Sequence, residues 1–143
     1  MDYTTVIGIN SKYIYVKNDE KEYKTPTKKA DLLELAENFN NDFCFYNRMI
    51  LEAEKTYIRI NAELESLEIY EKRLESTIEE HKEEPLYKRG LADACFKLKC
   101  TKERIKETSY KLSGIREVKM DARQKEDRAE KMIHIIKNIL KTI

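Results

Sequence analysis

The sequence predicts a mainly helical protein, in which two long helices form an antiparallel coiled-coil hairpin and a small three-stranded antiparallel β-meander precedes them. Three observations predict this fold class. Apolar residues recur at alternating spacings of four and three along two long stretches, which is the pattern of a coiled coil. A proline separates the two stretches, and β-branched and aromatic residues are concentrated before residue 26, as is typical of strands.

The meander is predicted over residues 1–26, with its first turn at Asn10 and Ser11. Strand residues alternate between the two faces of a sheet, so this turn decides which side chains face the helices. We expect the inner face to pack on the helices, because so small a sheet is marginal alone. The inner face consists of Ile7, Ile9, Ile14, Val16 and Tyr23. The outer face carries Val6, Tyr13, Tyr15 and Lys24.

The coiled coil is predicted over residues 27–143, and its first helix over residues 27–82. Either threonine beside Pro26 can cap this helix, which then starts at Pro26 or Lys28. The polar run 38–42 favours a turn, but the apolar phase continues through it, so we expect a continuous helix or at most a local kink. The line of residues expected to face the partner helix, here called the first seam, is Leu32, Ala36, Phe39, Phe43, Tyr46, Ile50, Ala53, Tyr57, Ile60, Leu64, Leu67, Glu71, Leu74, Ile78 and His81.

A turn is predicted at residues 83–86, because Pro85 disfavours helical geometry in the residue before it. The second helix is predicted over residues 86–142. So short a connection makes the two helices antiparallel neighbours. The second seam is Tyr87, Leu91, Ala94, Leu98, Thr101, Ile105, Thr108, Leu112, Ile115, Lys119, Ala122, Glu126, Ala129, Ile133, Ile136, Leu140 and Ile143.

Side-chain size and charge both support this pairing of the helices. When the seams are folded about Glu84, large residues meet small ones, as Phe39 meets Ala129, which a packed interface requires. Twelve acids and six bases lie between residues 42 and 84, whereas twelve bases and five acids lie between residues 88 and 125. Opposite charge along the two flanks favours pairing of the two different helices over pairing of like with like.

Composition indicates a cytoplasmic protein without a membrane partner. The formal net charge of +1 gives no overall attraction to nucleic acid or to anionic lipid. Three cysteines, an odd number, fit a reducing compartment better than a disulfide framework. The first residues lack the basic and then apolar run of a secretory signal, and no stretch approaches the roughly 20 apolar residues that span a bilayer.

The residue types that carry chemistry are too dispersed to predict an enzyme, a metal site or a bound cofactor. Cys95 and Cys100 are five residues apart, which places them about 140° apart around a helix, and Cys44 lies far along the hairpin from them. Neither His81 nor His134 has a nucleophile or carboxylate at a spacing that suggests catalysis. Glycine-rich phosphate loops and nucleophile motifs are absent from the sequence.

Surplus apolar residues at the end of the hairpin remote from the turn predict a homodimer. They widen the helix faces beyond what one seam can use, and a second copy of the chain could cover what the meander does not. The predicted dimer interface consists of Phe45, Met49, Leu51, Met132, Ile135 and Ile139.

The sequence therefore favours a non-enzymatic coiled-coil binding protein that bridges or blocks another macromolecule. An accessory or inhibitor protein of a phage or mobile element is one form such a protein takes, and the outer face of the meander is its predicted surface for a protein partner. One alternative is a nucleic-acid-associated factor, in which Lys99, Lys102 and Lys106 share a helix face and follow phosphates. Another alternative is a structural subunit of a larger assembly.

Overall fold

The fold class predicted from the sequence is confirmed in a computed structural model that describes residues 5–143. The start of the predicted meander, residues 1–4, lies outside the described residues. Contacts divide the chain into two compact units. The first unit contains the chain up to Ile50 together with Met120–Ile143, and the second unit contains Leu51–Lys119. The elements are β1 (Val6–Ile9), β2 (Tyr13–Lys17), β3 (Glu22–Pro26), α1 (Lys29–His81), a 3-10 turn (Pro85–Tyr87) and α2 (Lys88–Thr142).

Both helices bury the seams that the apolar spacing predicts. Every residue of the first seam is buried or half-buried, and so is every residue of the second seam except Ile143, which lies beyond the end of α2. α1 continues without interruption through residues 38–42, as the unbroken apolar phase predicts. The low helix propensity of that polar run is therefore outweighed by the burial of Phe39 within it and of the half-buried Phe43 directly after it.

The start of α1 differs from the prediction, because the two threonines beside Pro26 do not cap it. Pro26 is the last residue of β3. The Thr27 hydroxyl donates to the Asn10 carbonyl oxygen at 2.9 Å and so fastens the end of β3 to the β1–β2 turn. The first helical hydrogen bond runs from Leu32 N to the Lys28 carbonyl oxygen at 3.0 Å, which places the helix boundary at Lys28.

The first turn of the meander also differs from the prediction. Asn10 pairs with Tyr13, its amide donating to the Tyr13 carbonyl oxygen at 2.9 Å, so the two turn residues are Ser11 and Lys12. The side-chain oxygen of Asn10 accepts from the amides of Lys12 and Tyr13, at 2.9 and 2.7 Å. This bonding of an asparagine to the backbone ahead of it stabilises the turn that forms.

A β-bulge then changes which side chains of β1 face inward. Ile9 lies opposite Ile14, but the register shifts between Val6 and Gly8, which leaves Ile7 as the extra residue. Val6 is consequently 2% exposed and packs in the core, whereas Ile7 is 43% exposed. The prediction that Ile7 faces inward and Val6 outward is wrong for this reason.

The first unit contains the main apolar core. Val6, Ile14 and Val16 of the sheet pack with buried residues of both helices, and Tyr23 packs against them as predicted. The helical residues of this core are Leu32, Leu35, Phe39, Ala129 and Ile136. Phe39 and Ala129, which the antiparallel pairing predicts to lie opposite each other, both belong to it.

The second unit shows the predicted pairing of acidic with basic helix. Carboxylates of α1 meet cations of α2 in three ion pairs, and the Arg116 guanidinium donates to the Tyr57 hydroxyl at 2.7 Å. Each exposed pair is worth less than about 1 kcal/mol, so their main effect is to favour the antiparallel register. The ion pairs are Glu54–Lys119 at 3.1 Å, Glu63–Arg104 at 3.6 Å and Glu75–Lys102 at 4.0 Å.

At the turn between the helices the rings of His81 and Tyr87 pack together, with their centroids 4.2 Å apart and their planes tilted by 35°. His81 Nδ1 lies 3.0 Å from a Glu84 carboxylate oxygen, and this contact joins the end of α1 to the turn. A Cβ atom at Gly90 would lie 2.9 Å from the Tyr87 ring. The absence of a side chain at Gly90 therefore permits the ring to pack against the start of α2.

Replacing a seam residue should cost far more stability than replacing its neighbour. Leu112 is 6% exposed and Ser113 is exposed. We expect Leu112→Asp to lower the free energy of unfolding by roughly 3–5 kcal/mol, because it removes apolar packing and buries an unpaired charge. The matched Ser113→Asp should change it by no more than about 0.5 kcal/mol. Urea unfolding followed by circular dichroism measures both, and equal losses would contradict the seam assignment.

The two helical glycines should respond oppositely to alanine. At Gly114 a Cβ atom meets nothing within 4 Å, so Gly114→Ala should raise the free energy of unfolding by up to about 1 kcal/mol through helix propensity. Gly90→Ala gains the same propensity but displaces the Tyr87 ring, so we expect a net loss of stability. The same unfolding measurement decides, and stabilisation by both variants would show that the ring is not held against Gly90.

Candidate functional site

The outer face of the meander carries a cluster of two tyrosines and a lysine, here called the tyrosine cluster. Tyr13 and Tyr15 alternate with the buried Ile14 and Val16 along β2, so their side chains lie on the face away from the core. Their ring centroids are 6.3 Å apart and the rings are tilted by 59°. The Lys24 ammonium lies 4.3 Å from the centroid of the Tyr13 ring.

Part of the surface of the two tyrosine rings is used in contacts within the sheet. Tyr15 lies opposite Gly8, and a Cβ atom at Gly8 would lie 3.8 Å from the Tyr15 ring, which places this ring over the backbone that glycine leaves uncovered. The cation–aromatic contact of Lys24 with Tyr13 contributes about 0.5–1 kcal/mol at an exposed site. Both tyrosines are half-buried as a result. The cluster is thus arranged before any partner binds.

Val6 does not belong to this surface, although it was predicted there, because the bulge turns its side chain into the core. Three of the four predicted partner-binding residues therefore lie together on the outer face, and the fourth supports the sheet from beneath. The bulge has no clear sequence signal apart from Gly8, which is the residue type often found beside one.

The two edges of the sheet are protected against strand addition. At the β1 edge the Arg128 guanidinium donates to the carbonyl oxygen of Val6. At the β3 edge the strand carries Glu22, Lys24 and Pro26, and charged residues and proline are the devices by which natural sheets avoid edge pairing. The chemistry of this face therefore favours recognition through side chains over the addition of a partner strand.

The predicted dimer residues are divided between two kinds of environment. Phe45, Leu51 and Ile135 are exposed, and Met49 is half-buried. Met132 and Ile139 instead pack against the core of the first unit. Leu51 belongs to the second unit, whereas the other five belong to the first.

The predicted phosphate-binding lysines are all exposed on α2. Lys102 lies 4.0 Å from the carboxylate of Glu75, so its charge is partly offset by α1. Lys99 and Lys106 form no ion pair among residues 5–143. Nearby, Lys97 donates to an Asp93 carboxylate oxygen at 3.0 Å.

The Lys97–Asp93 hydrogen bond, assisted by the charge of the carboxylate, raises the pKa of Lys97. This lysine is exposed, so the raised pKa keeps it positively charged without implying any buried function. Its charge is largely cancelled one turn away by the aspartate. The local field that α2 offers to an anion is accordingly weaker than a count of its lysines suggests.

The groups that could perform chemistry are separate from one another within residues 5–143. All three cysteines are free thiols, and no group of three or more metal-binding side chains occurs in that range. A cleft of about 210 Å³ beside β1 is lined by Phe39, Tyr46, Lys125 and Arg128, among others. It is smaller than the roughly 300–1,000 Å³ of typical ligand pockets.

One surface was missed in the sequence analysis although its signal is present. Leu51, Ile58, Ala62 and Ile69 are exposed on α1, at spacings of seven, four and seven residues. Those spacings place the four side chains on one line along the helix. The line lies away from the first seam, whose longer apolar repeat accounts for the helix by itself.

The chain matches no protein-family model, no curated protein and no solved structure. Among the described residues, no helix is both long and apolar enough to cross a membrane. The functional argument therefore depends on the surfaces themselves.

Proposed function

We propose that this chain is a non-enzymatic binding protein that bridges or blocks another macromolecule, and that the tyrosine cluster of Tyr13, Tyr15 and Lys24 contacts a protein partner. The observation that carries the proposal is the arrangement of this cluster: two tilted rings and a cation, held together on the face of the sheet away from the core. Tyrosine is enriched among the residues that dominate the energy of protein interfaces.

The chemistry of the cluster suggests the kind of protein surface it fits. The rings offer apolar area with a polar tip and little conformational entropy to lose, because a tyrosine has two rotatable side-chain bonds. Lys24 adds a positive charge beside them. A complementary surface would combine a shallow apolar depression with a carboxylate placed to receive the Lys24 ammonium.

The support for the cluster is rigid, which reduces the cost of binding. Ile14 and Val16, the neighbours of the two tyrosines on β2, are at most 1% exposed and fix the strand to the helices. Side chains that are ordered before binding lose less entropy when a partner arrives. We place this activity in the cytoplasm, and a phage or mobile-element accessory protein remains the biological setting that we propose.

The test is a quantitative pull-down from the native host with Tyr13→Ala and Tyr15→Ala combined. Once the retained partner has been identified and purified, we expect its affinity for the double variant to fall at least tenfold, because an interface anchor typically contributes about 2 kcal/mol or more. The matched control is Tyr110→Ala, which removes a highly exposed tyrosine from α2. Thermal melting must stay unchanged. Equal affinity, or a loss that merely follows unfolding, would refute the proposal.

A second candidate function is nucleic-acid binding through α2. The exposure of Lys99 and Lys106, without an ion pair among residues 5–143, is the observation that favours it. With Lys102 they could contact three phosphates, so the logarithm of the binding constant for a duplex should fall with the logarithm of salt concentration at a slope of roughly −2.7.

Lys99→Ala with Lys106→Ala should reduce that slope by about 2, because two phosphate contacts are lost. Lys137→Ala with Lys141→Ala, elsewhere on α2, is the control and should leave it unchanged. Fluorescence anisotropy with short DNA and RNA duplexes measures the slope. Binding that is absent at about 50 mM salt, where phosphate contacts are strong, would exclude this function.

A further inference from the structure

The exposed line on α1, here called the outer stripe, consists of Leu51, Ile58, Ala62 and Ile69 and lies wholly within the second unit. Leu51, Ile58 and Ile69 are 50%, 70% and 54% exposed. Single exposed apolar residues are common, but large ones repeated along one side of a helix form an exposed apolar patch that is typical of an interaction surface. The first seam cannot use them, because it lies on another side of the helix.

Two charged residues complete the spacing of the outer stripe. When Lys55 and Glu65 are included, the positions follow one another at intervals of four, three, four, three and four residues. This is the spacing of a coiled-coil seam. α1 therefore carries a second, shorter seam in addition to the one that packs on α2.

We propose that a second copy of this chain covers the outer stripe, with the two α1 helices antiparallel. The spacing reads the same in both directions, so each position meets one definite position of the other copy. Leu51 meets Ile69 of the second copy, Lys55 meets its Glu65, and Ile58 meets its Ala62. Each layer then combines two apolar side chains or one pair of opposite charges.

The antiparallel direction follows from the two charged positions. In a parallel dimer in register, Lys55 would meet Lys55 and Glu65 would meet Glu65, and like charges in facing layers are destabilising. In the antiparallel dimer, each of them meets the opposite charge in the other copy. The arrangement is also self-complementary about a two-fold axis, so it closes as a dimer and does not extend into a filament.

The present contacts of these charges leave them available. Lys55 lies 3.6 Å from Glu52, with both side chains about three-quarters exposed, and Glu65 accepts a hydrogen bond of 3.3 Å from Asn61. Exposed interactions of this kind contribute little and exchange readily. Charged residues that flank the stripe contribute less to the association of two copies, because solvent screens them. One of them, Glu54, is paired with Lys119 of its own chain.

This interface differs from the dimer surface that the sequence predicted. Leu51 is the one residue common to both. Two of the residues predicted for the earlier surface, Met132 and Ile139, pack against the core of their own chain. The outer stripe needs no such residue, and it shares no residue with the tyrosine cluster.

The mass of the protein in solution tests the proposal. Sedimentation equilibrium at tens of micromolar should give twice the chain mass of 17.1 kDa for the wild type, and the mass of one chain for Ile58→Glu. Val118→Glu, which places the same charge at an exposed site on α2, is the control and should remain dimeric. Circular dichroism checks that helicity is retained. A monomeric wild type, or a dimer that persists in Ile58→Glu, would overturn the proposal.

A charge exchange tests the direction of the helices. Lys55→Glu should weaken the dimer at least tenfold, because each introduced carboxylate would face Glu65 of the other copy. Adding Glu65→Lys should restore it, because the opposite charges then meet again with their places exchanged. A parallel dimer would not show this loss and rescue, and that result would refute the antiparallel assignment. The tyrosine double variant should stay dimeric, so failure of the binding role and failure of the dimer are distinguishable.

Discussion

Burial of the two seams against each other is the interaction on which the rest of the structure depends. Isolated helices gain little from propensity in water, and most of their stability comes from packing one face. Here the packed face continues through the whole of α1 and through α2 as far as Leu140. The sheet depends on this packing as well, because Val6, Ile14 and Val16 are buried against residues of both helices.

The seams also contain polar residues, which either bond within their own helix or pair across the interface. Thr101 is buried, but its hydroxyl donates to the Lys97 carbonyl oxygen at 2.7 Å, so it needs no partner across the interface. Glu126 accepts a hydrogen bond from the Asn47 amide at 3.1 Å, which joins α2 to α1. A shift of one helix along the other would break such a pair and leave polar atoms without partners. Apolar packing thus supplies the stability of the hairpin, and polar pairs help to fix its alignment.

The helices could be predicted from the sequence because one period persists over many turns, so a local anomaly such as residues 38–42 cannot outweigh it. The sheet could not be predicted in detail, because its register depends on a single turn. Asn10 had two arrangements open to it, and the hydrogen bonds of its side chain to the backbone select the one that moves the turn residues to Ser11 and Lys12. The bulge at Ile7 then exchanges the faces of Val6 and Ile7. Because side chains alternate between the faces of a strand, a slip of one residue moves each side chain that follows it to the other face.

The candidate surfaces were predictable to the same extent as the elements that carry them. Tyr13 and Tyr15 lie on the outer face as expected, since β2 alternates regularly. The outer stripe was not predicted for a different reason: its residues lie in a helix whose first seam is longer and accounts for the helical pattern without them.

The hydrogen bond from Arg128 to the Val6 carbonyl oxygen joins residues 122 positions apart, and it has a consequence for how the chain is made. During synthesis the strands emerge before Arg128, Ala129 and Ile136, the residues of α2 that pack on them or bond to them. The apolar face of the sheet therefore lacks its contacts with α2 until that helix has been made. Contacts this distant along the chain form slowly, and an uncovered apolar face is prone to aggregation in the meantime. The first unit can therefore be completed only after most of α2 has left the ribosome, although its strands are made well before that helix.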